Sequence, residues 1–405
     1  MRPVLGALCL LAALLFLLPV AALPPDPDGI VWGGVVSGKV LGPDGKPVDG
    51  ASVCLVVNQF DPDELADFQI QTKPDGSFAF RPLSERQFPV MIFAVKAGYG
   101  TSAVPTKMLA DRTGMTMQLR AGKPVEARIT DGAGHPVADA TVRMLEGSWS
   151  RHQVIGYYDS LTTRTDRAGR VRIPWLGSGD STRIMITHPQ YGTENKIISA
   201  PSQPLTIRLV RGARITGRVL HAGTGKAAHF ADVSCHLLKE WEEGRNTHSG
   251  GCFTASDGKF VLENLQPGDY LVAVRDTMMP ARWVAQRLIV HGLREGKTMR
   301  CPDLVFRNGA ELTGKILDEK TGEAVRFATV GAQTTGERWN QYYEATTFGD
   351  GTFSLRVPAG KWTITPRKGN EFLPSGGPLV RQLKEGERVK DLVLKLSPVA
   401  STNGG

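Results

Sequence analysis

Long apolar runs are missing from this sequence after Ala22, so nothing beyond that point is long enough to cross a membrane as a helix. The eight histidines are scattered at 135, 152, 188, 221, 229, 236, 248 and 291, and no His-Glu-x-x-His motif occurs. A Gly-x-Ser-x-Gly nucleophile elbow is absent as well. These gaps argue against a zinc peptidase and a serine hydrolase. Lys and Arg are interspersed with acids and never form a long basic run. The net charge of +8, or +7 without Arg2, therefore describes a solvated basic surface. Attraction to an anionic polysaccharide or membrane surface is the sharper alternative, and a nucleic-acid reader is excluded. No stretch after the leader sustains a 3.6-residue apolar period, which excludes a helical bundle.

What the chain does contain is a phrase that returns four times. It reads Thr72-Lys-Pro-Asp75-Gly76-Ser-Phe78, then Thr165-Asp-Arg-Ala168-Gly169-Arg-Val171. Thr254-Ala-Ser-Asp257-Gly258-Lys-Phe260 and Thr347-Phe-Gly-Asp350-Gly351-Thr-Phe353 follow. The glycines are spaced by 93, 89 and 93 residues. Such a period is too long for a solenoid unit of roughly 20–50 residues and fits a small β-sandwich. Asp-Gly between alternating runs signals a hairpin whose two turn residues reach φ > 0. Copy two has Ala168 in place of the Asp and is expected to turn differently. About 40 residues upstream of each phrase lie alternating segments such as Val36, Gly38 and Val40, or Ile215, Gly217 and Val219. Each copy closes on another alternation, as in Met115 to Leu119 and Leu392 to Leu396. The chain reads as all-β, with six or seven short strands per copy and four tandem Ig-like or transthyretin-like β-sandwiches in a rod.

The opening Gly-Lys-Val-Leu-Gly-Pro-Asp-Gly-Lys-Pro-Val-Asp-Gly-Ala (38–51), the Thr-x-x-Asp-Gly-x-Phe phrases and Pro267-Gly268-Asp-Tyr270 carry a family resemblance. The pattern resembles the carboxypeptidase regulatory-like domain, a transthyretin-like (prealbumin-like) sandwich, over nearly everything after residue 34. The resemblance implies the fold and, more loosely, a non-catalytic role as a companion or tandem module of exported proteins. The expected sandwiches span 35–120, 121–211, 212–308 and 309–398, after a linker at 23–34 and before a disordered tail at 399–405. The spacers Arg120-Ala-Gly122, Arg211-Gly212-Ala213 and Arg307-Asn-Gly309 are short, so neighbouring domains are expected to touch.

Residues 1–22 combine Arg2, an apolar run from Val4 to Val20 and a small-residue ending at Ala22, which reads as a cleavable signal peptide. An uncleaved membrane anchor is the alternative. Export implies a secreted, periplasmic or cell-envelope location. Of the four cysteines beyond the leader, Cys235 and Cys252 fall on inward positions of neighbouring strands, and a disulfide between them is expected. Two free, buried thiols are the alternative. Cys54 is offset by one residue and should face outward. A zinc site from Cys235, His236, His248 and Cys252 is disfavoured, because adjacent strand residues point to opposite faces.

Seven aromatics occupy equivalent connections between second and third strands: Trp149, Tyr157, Tyr158, Trp241, Trp339, Tyr342 and Tyr343. Loops on a rigid sandwich are where binding is built, and Trp and Tyr suit sugar faces or partner hot spots. Packing on their own sheet or at domain seams is the competing expectation. No cofactor, metal or catalytic constellation is expected. The sequence therefore points to a non-catalytic binding, spacer or structural module at the envelope, with a carbohydrate-binding protein as the alternative. The expected partner is an envelope protein or polysaccharide.

Overall fold

The computed structural model describes residues 34–57, 68–83, 89–105, 112–147, 161–177, 181–199, 204–242, 249–278, 281–334, 341–368 and 372–398. The leader and the tail lie outside that set. The chain is all-β, and each copy builds two sheets that share one core. In copy one, Ser37–Leu41 pairs antiparallel with Ser77–Ala79 and parallel with Met115–Gln118. Copy two repeats this with Val125–Thr130, Arg170–Ile173 and Leu205–Arg208. In copy three Ala213–His221 takes the central place, and in copy four Ala310–Asp318 does. The opposing sheet is a four-stranded antiparallel layer. In copy two its order is Thr162–Arg164, Thr141–Gly147, Ser181–His188, Tyr191–Ser199.

Alternation explains why these layers meet. Val36 and Val40 from one sheet and Val53, Leu55 and Ile92 from the other bury together as one cluster. The same logic gives clusters within 213–306 and 310–396. The remaining cluster gathers copy two with Cys54, Met91, Phe93 and Val95 of copy one. Cys54 is therefore fully buried, against the expectation that it faces outward. It does point away from its own core, but copy two covers that face. The sequence predicts no helix, and the described residues include one five-residue helical segment, Leu238–Glu242, between the second and third strands of copy three.

The repeated phrase makes one tight turn in all four copies, but the strands on either side of it join opposite sheets, so it is a sheet-to-sheet corner and not the expected hairpin, and its turn type differs too. Gly76 N–H donates to Lys73 O, and Lys73 N–H donates to Ser77 O. This is a type I turn closed by a left-handed residue, so only the glycine needs positive φ. Gly76, Gly169, Gly258 and Gly351 have φ of 74°, 70°, 75° and 74°. Copy two forms the same turn, contrary to expectation: Gly169 N–H reaches Asp166 O at 2.9 Å. Its Asp moves to the first turn position, where Oδ1 accepts from the amides of Ala168 and Arg170. A side chain at Gly258 would meet Val219 O at 2.6 Å, because the glycine lies against the first strand.

The Thr that opens each phrase is buried and closes a corner. Its Oγ1 accepts from the amide of Ala51, Ala140, Ala231 or Ala328 at 2.8–2.9 Å. The hydroxyl donates to the carbonyl of Val48, Val137, Ala228 or Val325. Each side chain thus ties the entry of the second strand to the turn. The residue just before each of those alanines is forced left-handed: Gly50, Asp139, Phe230 and Phe327 have φ of 61°, 58°, 58° and 55°.

Candidate functional site

That corner is where the copies diverge chemically. Gly and Asp adopt the left-handed region readily, whereas a bulky side chain there costs about 1–2 kcal/mol. Copies one and two carry Gly50 and Asp139, but copies three and four carry Phe230 and Phe327. Neither ring is repaid by burial, since they are 54% and 59% exposed. Phe230 stacks on Phe253 with centroids 4.6 Å apart and planes within 7°. Phe253 is itself 55% exposed. Beside it across the ladder stands Asp232, and beyond that Arg275. Both Nε and Nη2 of Arg275 donate to Asp232 Oδ2, at 3.2 and 2.6 Å. The His229 ring lies 6.1 Å from Phe230. In copy four, Phe348 of the turn is 58% exposed.

The outer face of copy four's second sheet carries a second polar–aromatic group. Tyr342 alternates outward on Tyr342–Thr346, and its hydroxyl donates to Glu344 Oε2 at 2.9 Å. The Arg367 guanidinium lies 5.4 Å over the Tyr342 ring and hydrogen-bonds its hydroxyl. Tyr343 points the other way. Its ring meets Trp362 edge-on at 5.5 Å, and its hydroxyl donates to Ala285 O of copy three at 2.7 Å. Burial pushes its phenol up to about 12. Of the seven aromatics singled out from the sequence, Tyr342 faces out and Tyr343 joins a domain seam. Trp149, Tyr157, Tyr158, Trp339 and the side chain of Trp241 lie outside the described residues.

The seams follow one design. Each spacer forms an antiparallel bridge with the preceding copy: Arg120–Ala121 with Tyr99–Gly100, Arg211 with Tyr191, and Arg307 with Val284. Side chains then cross the joint. Thr101 binds Trp175 O at 3.0 Å, and Gln266 Nε2 donates to Thr193 O at 2.9 Å. Arg356 donates to Ala281 O and Asn308 O. A cleft of about 330 Å³ opens at the last seam, lined by Trp283, Asn308, Glu311, Arg356 and Arg388 among others. Its arginines pair with Glu311 at 3.3 and 3.5 Å, so the cleft reads as part of the joint.

The expected bridge between Cys235 and Cys252 is not formed, and both are free thiols. Both residues do join the core cluster, as the alternation predicts. The register, however, sets Val233 opposite Cys252 and Gly250 opposite Cys235. The two cysteines are diagonal neighbours, about 7–8 Å apart in a regular ladder, which exceeds the usual reach of a disulfide. Burial, with a smaller contribution from Cys252, pushes the Cys235 thiol up to about 12. Among the described residues no cluster of three His, Cys, Asp or Glu side chains could hold a metal ion.

No family model matches this chain. No curated protein matches it either. Solved structures do align with it. The Bacillus anthracis TIE protein is 10% identical, with 90% of this chain and 75% of that one covered and a TM-score of 0.21. A Streptococcal ancillary pilin is 10% identical over 69% of this chain and 100% of its own, with a TM-score of 0.22. The minor pilin GBS52 of Streptococcus agalactiae is 9% identical over 48% of this chain and 99% of its own, at 0.21.

The residues that sequence reasoning missed are Phe230, Phe253, Phe327 and Phe348. A signal was available: a Phe stands where sister copies have Gly50 and Asp139. Its meaning required knowing that the position is left-handed.

Proposed function

We propose that this protein is an exported, non-catalytic spacer of the cell envelope, a rod of carboxypeptidase regulatory-like sandwiches that holds a partner at a fixed distance. The observation that supports the reading most is the repeated seam. Three spacers each form an antiparallel bridge with the domain before them, and side chains cross every joint. Flexible tethers have no use for such ties, whereas a spacer needs them to transmit length. The leader-like segment 1–22 supports export, and the partner proposed is an envelope protein or polysaccharide. The loop aromatics Trp149, Trp241 and Trp339 are the contact points in the carbohydrate-binding alternative.

Small-angle scattering on the full chain tests the reading. The expected result is one elongated particle with a bounded maximum dimension. Combining Tyr343→Phe with Arg356→Ala should loosen the last joint and broaden the distance distribution without unfolding copy four. Scattering of the unaltered chain typical of independently tumbling beads would refute the rod.

A further inference from the structure

The joint between copies two and three differs from its neighbours in what crosses it. Thr101 at the first joint, and Tyr343 and Arg356 at the third, bond to backbone carbonyls and keep their protons near neutrality. Glu311, the acid at the third joint, is paired by Arg356 and Arg388. At the second joint Gln266 of copy three reaches an acid of copy two. Its Nε2 donates both to Thr193 O and to Glu194 Oε2. The ladder register sets Glu194 opposite Ile186, which is fully buried, so this acid stands on the core side of its sheet. Its strand, Tyr191–Ser199, lies at the sheet edge and packs against Lys259–Leu265 of copy three.

No cation answers that carboxylate. Among the described residues Glu194 forms no ion pair; Lys196, further along the same strand, is the charge that acts on it, and Lys196 is exposed. On Ser181–His188, Arg183 pairs with Ile197 on the opposite face, and the His188 ring lies against Tyr191. On the copy-three strand, Lys259 is held by Asp257 and Glu263 by Arg214. Glu240 and Tyr270 line a hollow at the joint, together with Asn195. Acceptors outnumber donors there. Asn195 Oδ1 is buried without a partner, and the Tyr270 hydroxyl is engaged by Gln266 O. The hollow measures about 10 Å³, room for about one water and too little for a hydrated cation. Burial pushes the Glu194 carboxyl above its usual range, against smaller opposing pulls from Gln266 and Lys196.

We propose that Glu194 makes the second joint a proton-operated hinge, closed against copy three with the carboxyl protonated and released as it ionises. Opening returns the carboxylate to water and removes the burial that disfavours its charge. The closed joint is therefore fully favoured below the open-state pKa, and that advantage is lost as pH rises through the higher closed-state one. Acidification stiffens the chain at its middle, and neutral pH loosens it there. The inference rests on the spacer reading for the ordered joint, but it concerns this joint alone.

The test uses the full chain in a Cys252→Ser background, with spin labels on Arg167→Cys and Ser256→Cys. These are equivalent exposed turn positions of copies two and three. Pulsed electron resonance then reads the distance between the copies at about pH 4.5 and about pH 8. The ratio of narrow to broad distance populations should fall at least about threefold as pH rises. Glu194→Gln should keep the narrow population at both values, because a neutral amide of the same shape cannot ionise. Hydrogen exchange on the unsubstituted chain supplies a second readout. Protection of the Gly192 and Gly212 amides, which bond to Val210 O and Gln190 O, should fall over the same range after correction for chemical exchange. A distance distribution that ignores pH would overturn the hinge. So would a pH response that persists in Glu194→Gln, or a Glu194→Gln joint that stays broad at both values. Scattering that showed independent beads at every pH would refute the rod itself, so the two readings fail separately.

Discussion

Replacing Thr254 by Val would test the corner that organises every copy. The Thr254 side chain is 3% exposed, and Val reproduces its shape. What is lost is the Oγ1 that accepts from Ala231 N–H at 2.9 Å and donates to Ala228 O at 2.6 Å. Both backbone groups then stay buried without their partner. Each orphaned group costs about 1–3 kcal/mol, so the pair should cost about 2–6 kcal/mol. A domain of this size shifts by about 4–8 °C per kcal/mol, which places the expected drop at about 10 °C or more. Thr254→Ser keeps both bonds and loses one methyl, for about 1 kcal/mol. Calorimetry of the full chain should show one transition moving while the others hold, and hydrogen exchange should locate the loss at Ala231 and Phe230. A Val variant melting within about 2 °C of the parent would refute the corner's role. So would a Ser variant as damaged as the Val one.

Other outcomes follow from particular contacts. Gly258→Val should destabilise copy three by more than about 2 kcal/mol, since it combines positive φ with a 2.6 Å approach to Val219 O; thermal unfolding measures it. Iodoacetamide at pH 8 should label Cys235 only after denaturation, because burial both hides the thiol and raises its pKa; peptide mapping reads this. Burial raises the Glu194 carboxyl at the second seam, with Gln266 bonding against that rise. A carboxyl raised on folding contributes stability below its unfolded pKa and loses it as pH rises through the folded one. Glu194→Gln should therefore stabilise the protein near pH 7, and the gain should vanish as pH falls through the usual carboxylate range. Melting curves at several pH values would show it.

Local chemistry made much of the fold legible. The Thr phrase, the Gly spacing and the apolar alternation are short-range signals, and they located the turns and the faces of the strands, but not that the strands beside each turn part to opposite sheets. The alternation even set Cys235 and Cys252 on the core side. It could not give their diagonal register, which follows from how two strands slide past each other. The turn type was misjudged because an Asp-Gly pair fits two kinds of tight turn, and only the hydrogen bonds of Lys73 and Gly76 select one.

The sequence by itself determined an all-β chain of four related units, because a two-residue period and a turn glycine act over a few neighbours. Tertiary structure alone decided the rest. It paired the closing strands parallel to the first, across more than seventy residues in each copy. It buried Cys54 under the next domain and turned Tyr343 into a seam bolt. It also showed that Phe230 and Phe327 stand in left-handed backbone, exposed. That last fact depends on the corner Thr, more than twenty residues away in copy three and twenty in copy four, which fixes the chain's direction before the side chain has any say.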